Sequence, residues 1–227
     1  MTQRILLAPS ILTADFARIG DEVRSVADIV DWFHLDVMDG HYVPNLTFGP
    51  STVEAINHAC ENPLHVHLMI TDPGRFAPAF AAAGADRISF HPEVVEDPDA
   101  VIDQLKELGV GAGIAVHPDV PLDRIEPYAE RAAVLLMMSV RPGFGGQKFL
   151  DEVVPKIHDA RRMVQETGSR ADIEVDGGVN SSTIDRVVDA GVDIVVAGSA
   201  IFNGVDAPAA AKKLRERLDV LAASRDE

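Results

Sequence analysis

Short apolar runs alternate with helix-like segments along the whole chain, and this alternation limits the possible fold more than any other feature of the sequence. Eight runs of strand length are rich in apolar residues, as parallel strands are when helices cover their sheet. The second run begins at residue 33, and the others occupy residues 5–11, 64–70, 87–91, 113–116, 134–140, 173–176 and 193–197.

Segments with apolar residues at helical spacing follow most of these runs. They occupy residues 16–26, 51–59, 76–83, 101–108, 150–167, 180–190 and 214–221. Eight strands alternating with helical segments predict an α/β protein, a single-domain (β/α)8 TIM barrel spanning residues 1–227. A doubly wound open sheet is the alternative. It requires a glycine-rich turn after the first strand, where the sequence reads Pro9-Ser10-Ile11-Leu12.

The charge of the chain argues against two classes of partner. Acidic side chains number 36 and basic ones 20, which gives a formal net charge of −16. Such a surface repels nucleic-acid phosphates and anionic membranes, so we expect neither nucleic acid nor a membrane as a partner. A small anion is still possible, because backbone amides at a local site can override the global field.

Cys60 is the only cysteine, which excludes an intrachain disulfide and a cysteine-based zinc site. The N-terminus lacks the basic, apolar and small-residue pattern of a secretory signal, and no apolar run reaches 18 residues. The sequence therefore predicts a cytoplasmic protein.

Polar residues recur where the predicted strands end, which in a barrel is the face that carries chemistry. They are Ser10, His34, Asp36, His67, Asp176 and Ser199. Among them are two imidazoles and two carboxylates, His34, Asp36, His67 and Asp176. This set suits one divalent Zn²⁺, Fe²⁺, Mn²⁺ or Co²⁺ ion better than Mg²⁺ or Ca²⁺, which prefer oxygen ligands.

Asp36 and Asp176 also suit acid–base chemistry. Carboxylates at the ends of two separate strands are what proton transfer on two sides of a substrate requires. The alternative for each single residue is structural. His34 and Asp36 are two positions apart and share a strand face, so they could form a buried hydrogen-bonded pair, and each histidine could be an ordinary satisfied polar residue.

Glycine-rich turns follow the last three predicted strands. The loop Pro142-Gly143-Phe144-Gly145-Gly146-Gln147 comes first, followed by Gly177-Gly178 and then by Gly198-Ser199. Glycine lets backbone amides turn toward an anion without a Cβ in the way, and barrels commonly bind a phosphate after strands seven and eight. The pattern predicts a phosphate site, although any one of these turns could be only a tight bend.

Met38, Met69 and Met138 follow or end strands near the polar groups. They are either ordinary core residues or an apolar cap that keeps water from a reactive intermediate. The loop of residues 40–50, which is longer than most connections, is a candidate binding loop or lid.

Six motifs, taken in order, resemble the ribulose-phosphate 3-epimerase family over essentially the whole chain. They are Ala8-Pro9-Ser10-Ile11-Leu12, His34-Leu35-Asp36-Val37-Met38-Asp39-Gly40, His67-Leu68-Met69, Pro142-Gly143-Phe144-Gly145-Gly146-Gln147, Val175-Asp176-Gly177-Gly178 and Ala197-Gly198-Ser199. The resemblance implies a barrel isomerase that interconverts D-ribulose 5-phosphate and D-xylulose 5-phosphate in the pentose phosphate pathway. It implies one divalent metal ion per subunit and a homo-oligomer, either a dimer or a hexamer.

The resemblance also implies roles for single residues. His34, Asp36, His67 and Asp176 would be metal ligands, with Asp36 the proton acceptor and Asp176 the proton donor. Substrate contacts are expected at Ser10, His67, Gly143, Phe144, Gly145, Gly146, Asp176, Gly177, Gly178, Gly198 and Ser199.

Two positions depart from the family pattern. His65 stands where an acidic residue is expected, and Arg141 where Asn, Glu or His is more frequent. The sequence leaves open a 3-epimerase of a ketohexose phosphate such as allulose 6-phosphate. A metal-dependent aldolase or decarboxylase of the same barrel superfamily is less favoured, because it would require a lysine near the reacting carbons or a different acidic pattern on the third strand. A catalytically silent phosphate-binding protein is less favoured because the pair of carboxylates is intact.

Overall fold

Eight parallel strands form the centre of the structure, a computed structural model that describes residues 4–225. The strands are β1 (Leu6–Pro9), β2 (Phe33–Met38), β3 (Leu64–Met69), β4 (Arg87–Phe90), β5 (Gly111–Val116), β6 (Val134–Met138), β7 (Asp172–Asp176) and β8 (Ile194–Ala197). They are buried along nearly their whole length. The predicted domain ends, residues 1–3 and 226–227, lie outside the described residues.

The strands are ordered β1-β8-β7-β6-β5-β4-β3-β2 in one sheet. Every ladder is parallel, and a parallel bridge between Ser10 and His34 joins the end of β1 to β2. The sheet is therefore closed into a ring. This confirms the predicted (β/α)8 barrel and excludes the open sheet.

Helices follow the strands around the outside of the ring. They are α1 (Ile19–Val26), α2 (Pro50–Asn57), α3 (Pro73–Ala82), α4 (Pro98–Glu107), α5 (Glu126–Ala129), α6 (Val153–Thr167), α7 (Ile184–Asp189) and α8 (Ala207–Ser224). Three of them begin in the same way: Asp72, Asp97 and Asp206 each accept a hydrogen bond from the backbone N–H three residues later. A carboxylate at this position accepts a hydrogen bond from a free helix N–H, and its negative charge interacts favourably with the positive end of the helix dipole.

Several element boundaries differ from the sequence prediction. The short helix α5 was not predicted, because only four residues form it. The segment 16–26 splits into a 3-10 turn (Phe16–Arg18) and α1. Helix α7 begins at Ile184 with Thr183 at its N-cap, one residue past the predicted caps Asn180 to Ser182, since the Asn180 side chain accepts from Ser182 N–H in a turn before the helix.

The two sides of the ring differ in chemistry. Between the strands and the helices lies one continuous apolar core that includes Phe33, Phe80 and Phe90. Inside the ring, toward β2, β3 and β7, the buried side chains are instead polar, as His34 and Glu174 illustrate. This interior polar layer supports the carboxyl-terminal mouth of the barrel. Within residues 4–225 no helix combines the length and apolarity needed to cross a bilayer.

Candidate active site

The carboxyl ends of β2, β3 and β7 bring the four predicted ligands together. Asp36 and His67 are opposite each other in the β2–β3 register, and His67 Nδ1 lies 3.1 Å from Asp36 Oδ1. His34 Nε2 lies 3.3 Å from Asp36 Oδ1 and 4.0 Å from Asp176 Oδ2. One ligand atom from each of the four residues lies within 4.8 Å of all the others. The cluster of His34, Asp36, His67 and Asp176 is thus arranged so that it could hold a divalent ion.

His34 shows that the cluster fits a cation. The ring is fully buried, and its Nε2 atom has no hydrogen-bond partner. A buried polar atom without a partner costs free energy, so such atoms are rare in native proteins. A cation among the surrounding carboxylates would satisfy the Nε2 lone pair, and nitrogen with carboxylate oxygen is a donor set of transition metals.

Asp36 is held in its ionised form. Burial alone would raise its pKa, but the neighbouring His34 and His67 imidazoles act in the opposite direction and lower the pKa of Asp36 below its ordinary value. Ser10 adds a hydrogen bond, since its hydroxyl donates to Asp36 Oδ2 at 2.7 Å. The Thr47 hydroxyl donates to the Asp36 carbonyl oxygen at 2.8 Å and anchors the following loop.

Asp176 is perturbed in the opposite direction. Burial, followed by the negative charge of Asp36, raises the pKa of Asp176 to about 7, although His34 partly opposes the shift. The two carboxyl groups therefore differ near neutral pH: Asp36 is ionised, and Asp176 is near its protonation midpoint. Unlike protonation states in one cluster are what a base and an acid in the same reaction need.

His34 has a pKa raised well above its ordinary range. Burial disfavours its charged form, but the nearby Asp36 carboxylate and the contacts with Glu174 and Asp176 outweigh burial. Metal binding at Nε2 would displace a proton from this ring, so metal affinity should depend on pH.

Glu174 is a site residue that sequence reasoning missed. Its carboxylate is buried beneath the cluster and accepts from His34 Nδ1 at 2.9 Å and from His65 Nδ1 at 2.8 Å. It lies two positions before Asp176 on β7, so the period-two rule that paired His34 with Asp36 would also have paired these two acids.

A second chain of contacts, also missed, runs from the other side of the buried His67 ring to the exposed Glu93. His67 Nε2 lies 3.0 Å from His91 Nε2, and His91 Nδ1 lies 3.2 Å from Glu93 Oε1. Tyr42 donates to the same Glu93 oxygen at 2.9 Å. Burial lowers the pKa of His67 to about 4 despite its hydrogen bond to Asp36. The ring of His67 is therefore neutral near pH 7, which is the form of histidine that binds metal ions.

A cavity opens above the four clustered side chains. Most residues predicted to contact substrate line it, namely Ser10, Gly143, Phe144, Gly145, Gly146, Asp176, Gly177, Gly178 and Ser199, together with the methionines Met38, Met69 and Met138. Two residues predicted to contact substrate, Gly198 and His67, do not line it, and the His67 side chain is fully buried. A Cβ at Gly198 would lie 3.0 Å from Thr13 Oγ1, so this glycine permits close packing against the segment that follows β1.

Two glycines at the end of β7 have a backbone that other residues rarely adopt. Gly177 has φ of 120° and Gly178 has φ of 65°. A Cβ at Gly178 would lie 2.5 Å from the backbone nitrogen of Phe149, which is too close for any side chain. The turn therefore requires glycine, and it brings backbone directly to the cavity wall.

The loop of residues 40–50 contacts the glycine-rich loop across the mouth. Asn45 Nδ2 donates to the Gly143 carbonyl oxygen at 2.8 Å, and Gly143 packs against Val43. Val43 in turn packs with Met38 and Met69. The two loops thus meet above the methionines, while Phe144 in the glycine-rich loop stays 54% exposed.

The two departures from the family pattern lie in different environments. His65 is buried inside the barrel against Glu174. Arg141 is exposed at the rim, where it pairs with Asp119 at 3.3 Å. Arg141 therefore touches none of the four clustered residues, whereas His65 reaches His34 through one carboxylate.

Comparison with known proteins shows which family the chain belongs to. The profile of the Ribulose-phosphate 3 epimerase family matches residues 6–202. The ribulose-phosphate 3-epimerase of Bacillus subtilis is 49% identical over 181 residues, 79% of this chain and 83% of the relative. That of Escherichia coli is 44% identical over 187 residues, 82% of this chain and 83% of the relative. Among solved structures, 3-hexulose-6-phosphate synthase from Salmonella typhimurium superposes on this chain with a TM-score of 0.73 at 22% identity. The superposition covers 96% of this chain and 100% of the other, and at this identity it shows a shared barrel fold only. The profile match and these identities show that the chain belongs to the ribulose-phosphate 3-epimerase family.

Proposed function

We propose that the protein is an isomerase that interconverts D-ribulose 5-phosphate and D-xylulose 5-phosphate by inverting carbon 3. The observation that carries this proposal is the pair Asp36 and Asp176, which lie on two separate strands, line one cavity and have pKa values shifted in opposite directions. Inversion at a carbon next to a carbonyl requires a base on one face and an acid on the other, and this pair supplies one of each.

Asp36, the ionised partner, accepts the proton from carbon 3 of D-ribulose 5-phosphate. Asp176 donates a proton to the opposite face, and the two exchange roles in the reverse direction. Because the groups are coupled, the pair should be treated as one titrating unit. Ser10 holds Asp36 through its 2.7 Å hydrogen bond and borders the cavity where the sugar hydroxyls would lie.

His34, Asp36, His67 and Asp176 would hold one divalent ion per subunit, Zn²⁺, Fe²⁺, Mn²⁺ or Co²⁺. The bound ion supplies Lewis-acid stabilisation of the negative charge that develops as the enediolate forms. The unpartnered Nε2 atom of His34 supports this assignment.

The remaining cavity residues divide between the two ends of the substrate. Backbone amides of Gly143–Gly146 and of Gly177 and Gly178, with Ser199, bind the phosphate, which is how an acidic protein can bind an anion. Met38, Met69 and Met138 line the same cavity and keep water from the enediolate.

Turnover of D-ribulose 5-phosphate before and after chelation tests the substrate and the metal together. We expect activity to be lost on chelation and restored by a transition metal ion. Metal binding without turnover of the five-carbon ketose would favour six-carbon ketose phosphates, such as allulose 6-phosphate, as substrates. Full turnover after exhaustive metal removal would refute the metal assignment.

Solvent deuterium exchange tests the roles of the two carboxylates. Asp36→Asn and Asp176→Asn should each lower epimerisation by at least about 10³-fold, since each removes one proton-transfer group. If Asp36 is the acceptor, Asp176→Asn should still exchange the carbon 3 proton of D-ribulose 5-phosphate with solvent, provided the variant is saturated with metal. Exchange by Asp36→Asn at the same rate would refute the assignment.

Metal analysis and light scattering on the same preparations measure the ion content and the expected homo-oligomer.

A further inference from the structure

Beneath the proposed metal cluster lies a buried hydrogen-bonded row of His34, Glu174, His65 and Ser89. All four residues are at most 1% exposed. His34 Nδ1 lies 2.9 Å from Glu174 Oε1, and His65 Nδ1 lies 3.0 Å and 2.8 Å from the two carboxylate oxygens. The row ends at Ser89, whose Oγ lies 2.6 Å from His65 Nε2.

The hydrogen-bonding capacity of each group determines where the ring protons lie. An ionised carboxylate only accepts hydrogen bonds, so His34 and His65 must each carry a proton on Nδ1. The Nε2 atom of a neutral His65 is then an acceptor, and the Ser89 hydroxyl donates to it. Every polar atom in this part of the row has a partner when the protons are placed in this way.

Ser89 keeps its position because its neighbour on β5 is a glycine. Ser89 pairs with Gly113 in the β4–β5 register, and a Cβ at Gly113 would lie 1.9 Å from Ser89 Oγ. No larger residue fits there unless the hydroxyl moves. The far end of the row is therefore fixed by the sheet itself.

We propose that His65, a departure from the family pattern, is a positioning residue for the metal site. It holds Glu174 through both carboxylate oxygens, and Glu174 holds the Nδ1–H of His34. The Nε2 atom of His34 is thereby directed to the cluster of Asp36 and Asp176. The effect on metal affinity rests on the proposed metal-dependent function, but the hydrogen-bond arrangement does not.

Nuclear magnetic resonance of protein labelled with ¹⁵N-histidine tests the arrangement without any bound metal. Long-range ¹H–¹⁵N spectra distinguish a ring protonated on Nδ1 from one protonated on Nε2, and His65→Asn identifies the His65 signals by their loss. We expect His65 to carry a proton on Nδ1 in chelated protein. A ring protonated only on Nε2 would overturn the proposal.

Zn²⁺ affinity, measured by competition with a chelator, tests the consequence. His65→Leu removes the donor to Glu174 and should weaken binding by about 10- to 100-fold, as is typical when a residue supporting a metal ligand is lost. His65→Asn can place its side-chain N–H near the position of Nδ1 and should retain affinity within about threefold. Val66→Ala is the matched control, because Val66 is equally buried on the same strand but packs in the outer core.

The variants distinguish positioning from simple destabilisation. Val66→Ala should lower the melting temperature with unchanged Zn²⁺ affinity. Affinity of His65→Leu within threefold of wild type, or equal losses in His65→Leu and Val66→Ala, would overturn the proposal. If His65→Leu does not fold, His65→Asn and the wild-type spectrum still decide. Wild-type protein that binds no divalent ion would refute the metal assignment and the predicted effect on affinity, whereas the His65 tautomer tests the hydrogen bonds independently.

Discussion

Replacing Asp176 by asparagine should stabilise the chelated protein while abolishing its activity. Burial and the nearby charge of Asp36 raise the pKa of Asp176 from 3.8 to about 7. Above that pH the folded protein must hold an ionised carboxylate in an unfavourable place, whereas the unfolded chain ionises freely. Asparagine has nearly the same shape and no charge, so it avoids this cost.

The size and pH range of the effect follow from linkage. Each pKa unit is equivalent to about 1.4 kcal/mol, so a rise from 3.8 to about 7 costs roughly 4 kcal/mol at pH 8. Because the folded pKa lies above the unfolded one, the contribution of Asp176 to stability should fall as pH rises from about 4 to about 7 and then level off. The advantage of Asp176→Asn should therefore disappear below about pH 4.

Asp36→Asn is the matched control, with the opposite sign. The histidines of the cluster lower the pKa of Asp36, so its ionised form stabilises the fold. Removing that charge should destabilise the chelated protein at pH 8. The two substitutions are chemically identical and act in the same cluster, so a difference in sign reflects environment alone.

Urea denaturation of chelated wild type and both variants, at intervals from pH 4 to pH 8, measures these differences as shifts in the unfolding midpoint. Added Zn²⁺ should stabilise wild type more than Asp176→Asn, since the variant lacks one predicted ligand. Equal or lower stability of chelated Asp176→Asn at pH 8, or a gain that does not depend on pH, would refute the reasoning.

Two further predictions concern the loops around the cavity. Gly178→Ala should lower the free energy of unfolding by at least about 1 kcal/mol, because φ of 65° disfavours a side chain and the new Cβ would meet Phe149. The substitution should also raise KM for the phosphorylated ketose. An unchanged unfolding midpoint in urea would contradict the predicted loss of stability. Asn45→Ala removes the hydrogen bond to the Gly143 carbonyl and should speed amide hydrogen exchange in residues 142–147, with global stability changed by about 1 kcal/mol or less. Exchange as slow as in wild type would mean that the contact between the loops does not order this segment.

The barrel and the meeting of its polar residues could be predicted from the sequence. Apolar runs at strand spacing and helical segments between them require parallel strands covered by helices, and parallel strands place all their carboxyl ends on one face. That rule alone indicated that His34, Asp36, His67 and Asp176 would meet, although they come from three strands and His34 and Asp176 are 142 positions apart in the sequence. Local spacing was less informative about α5 and the start of α7, because short helices depend on packing rather than on their own pattern.

The tertiary structure alone determined the chemistry of these groups. Asp36 and Asp176 are the same residue type, each at the end of a strand, yet one lies between two histidines and the other faces a carboxylate, so their pKa values shift in opposite directions. Glu174 and His65 likewise acquire a common role only where β3 and β7 approach across the ring. Sequence periodicity determines which face a side chain occupies, but the charge it carries depends on neighbours that are distant along the chain, and closure of the barrel is what brings those neighbours within hydrogen-bonding distance.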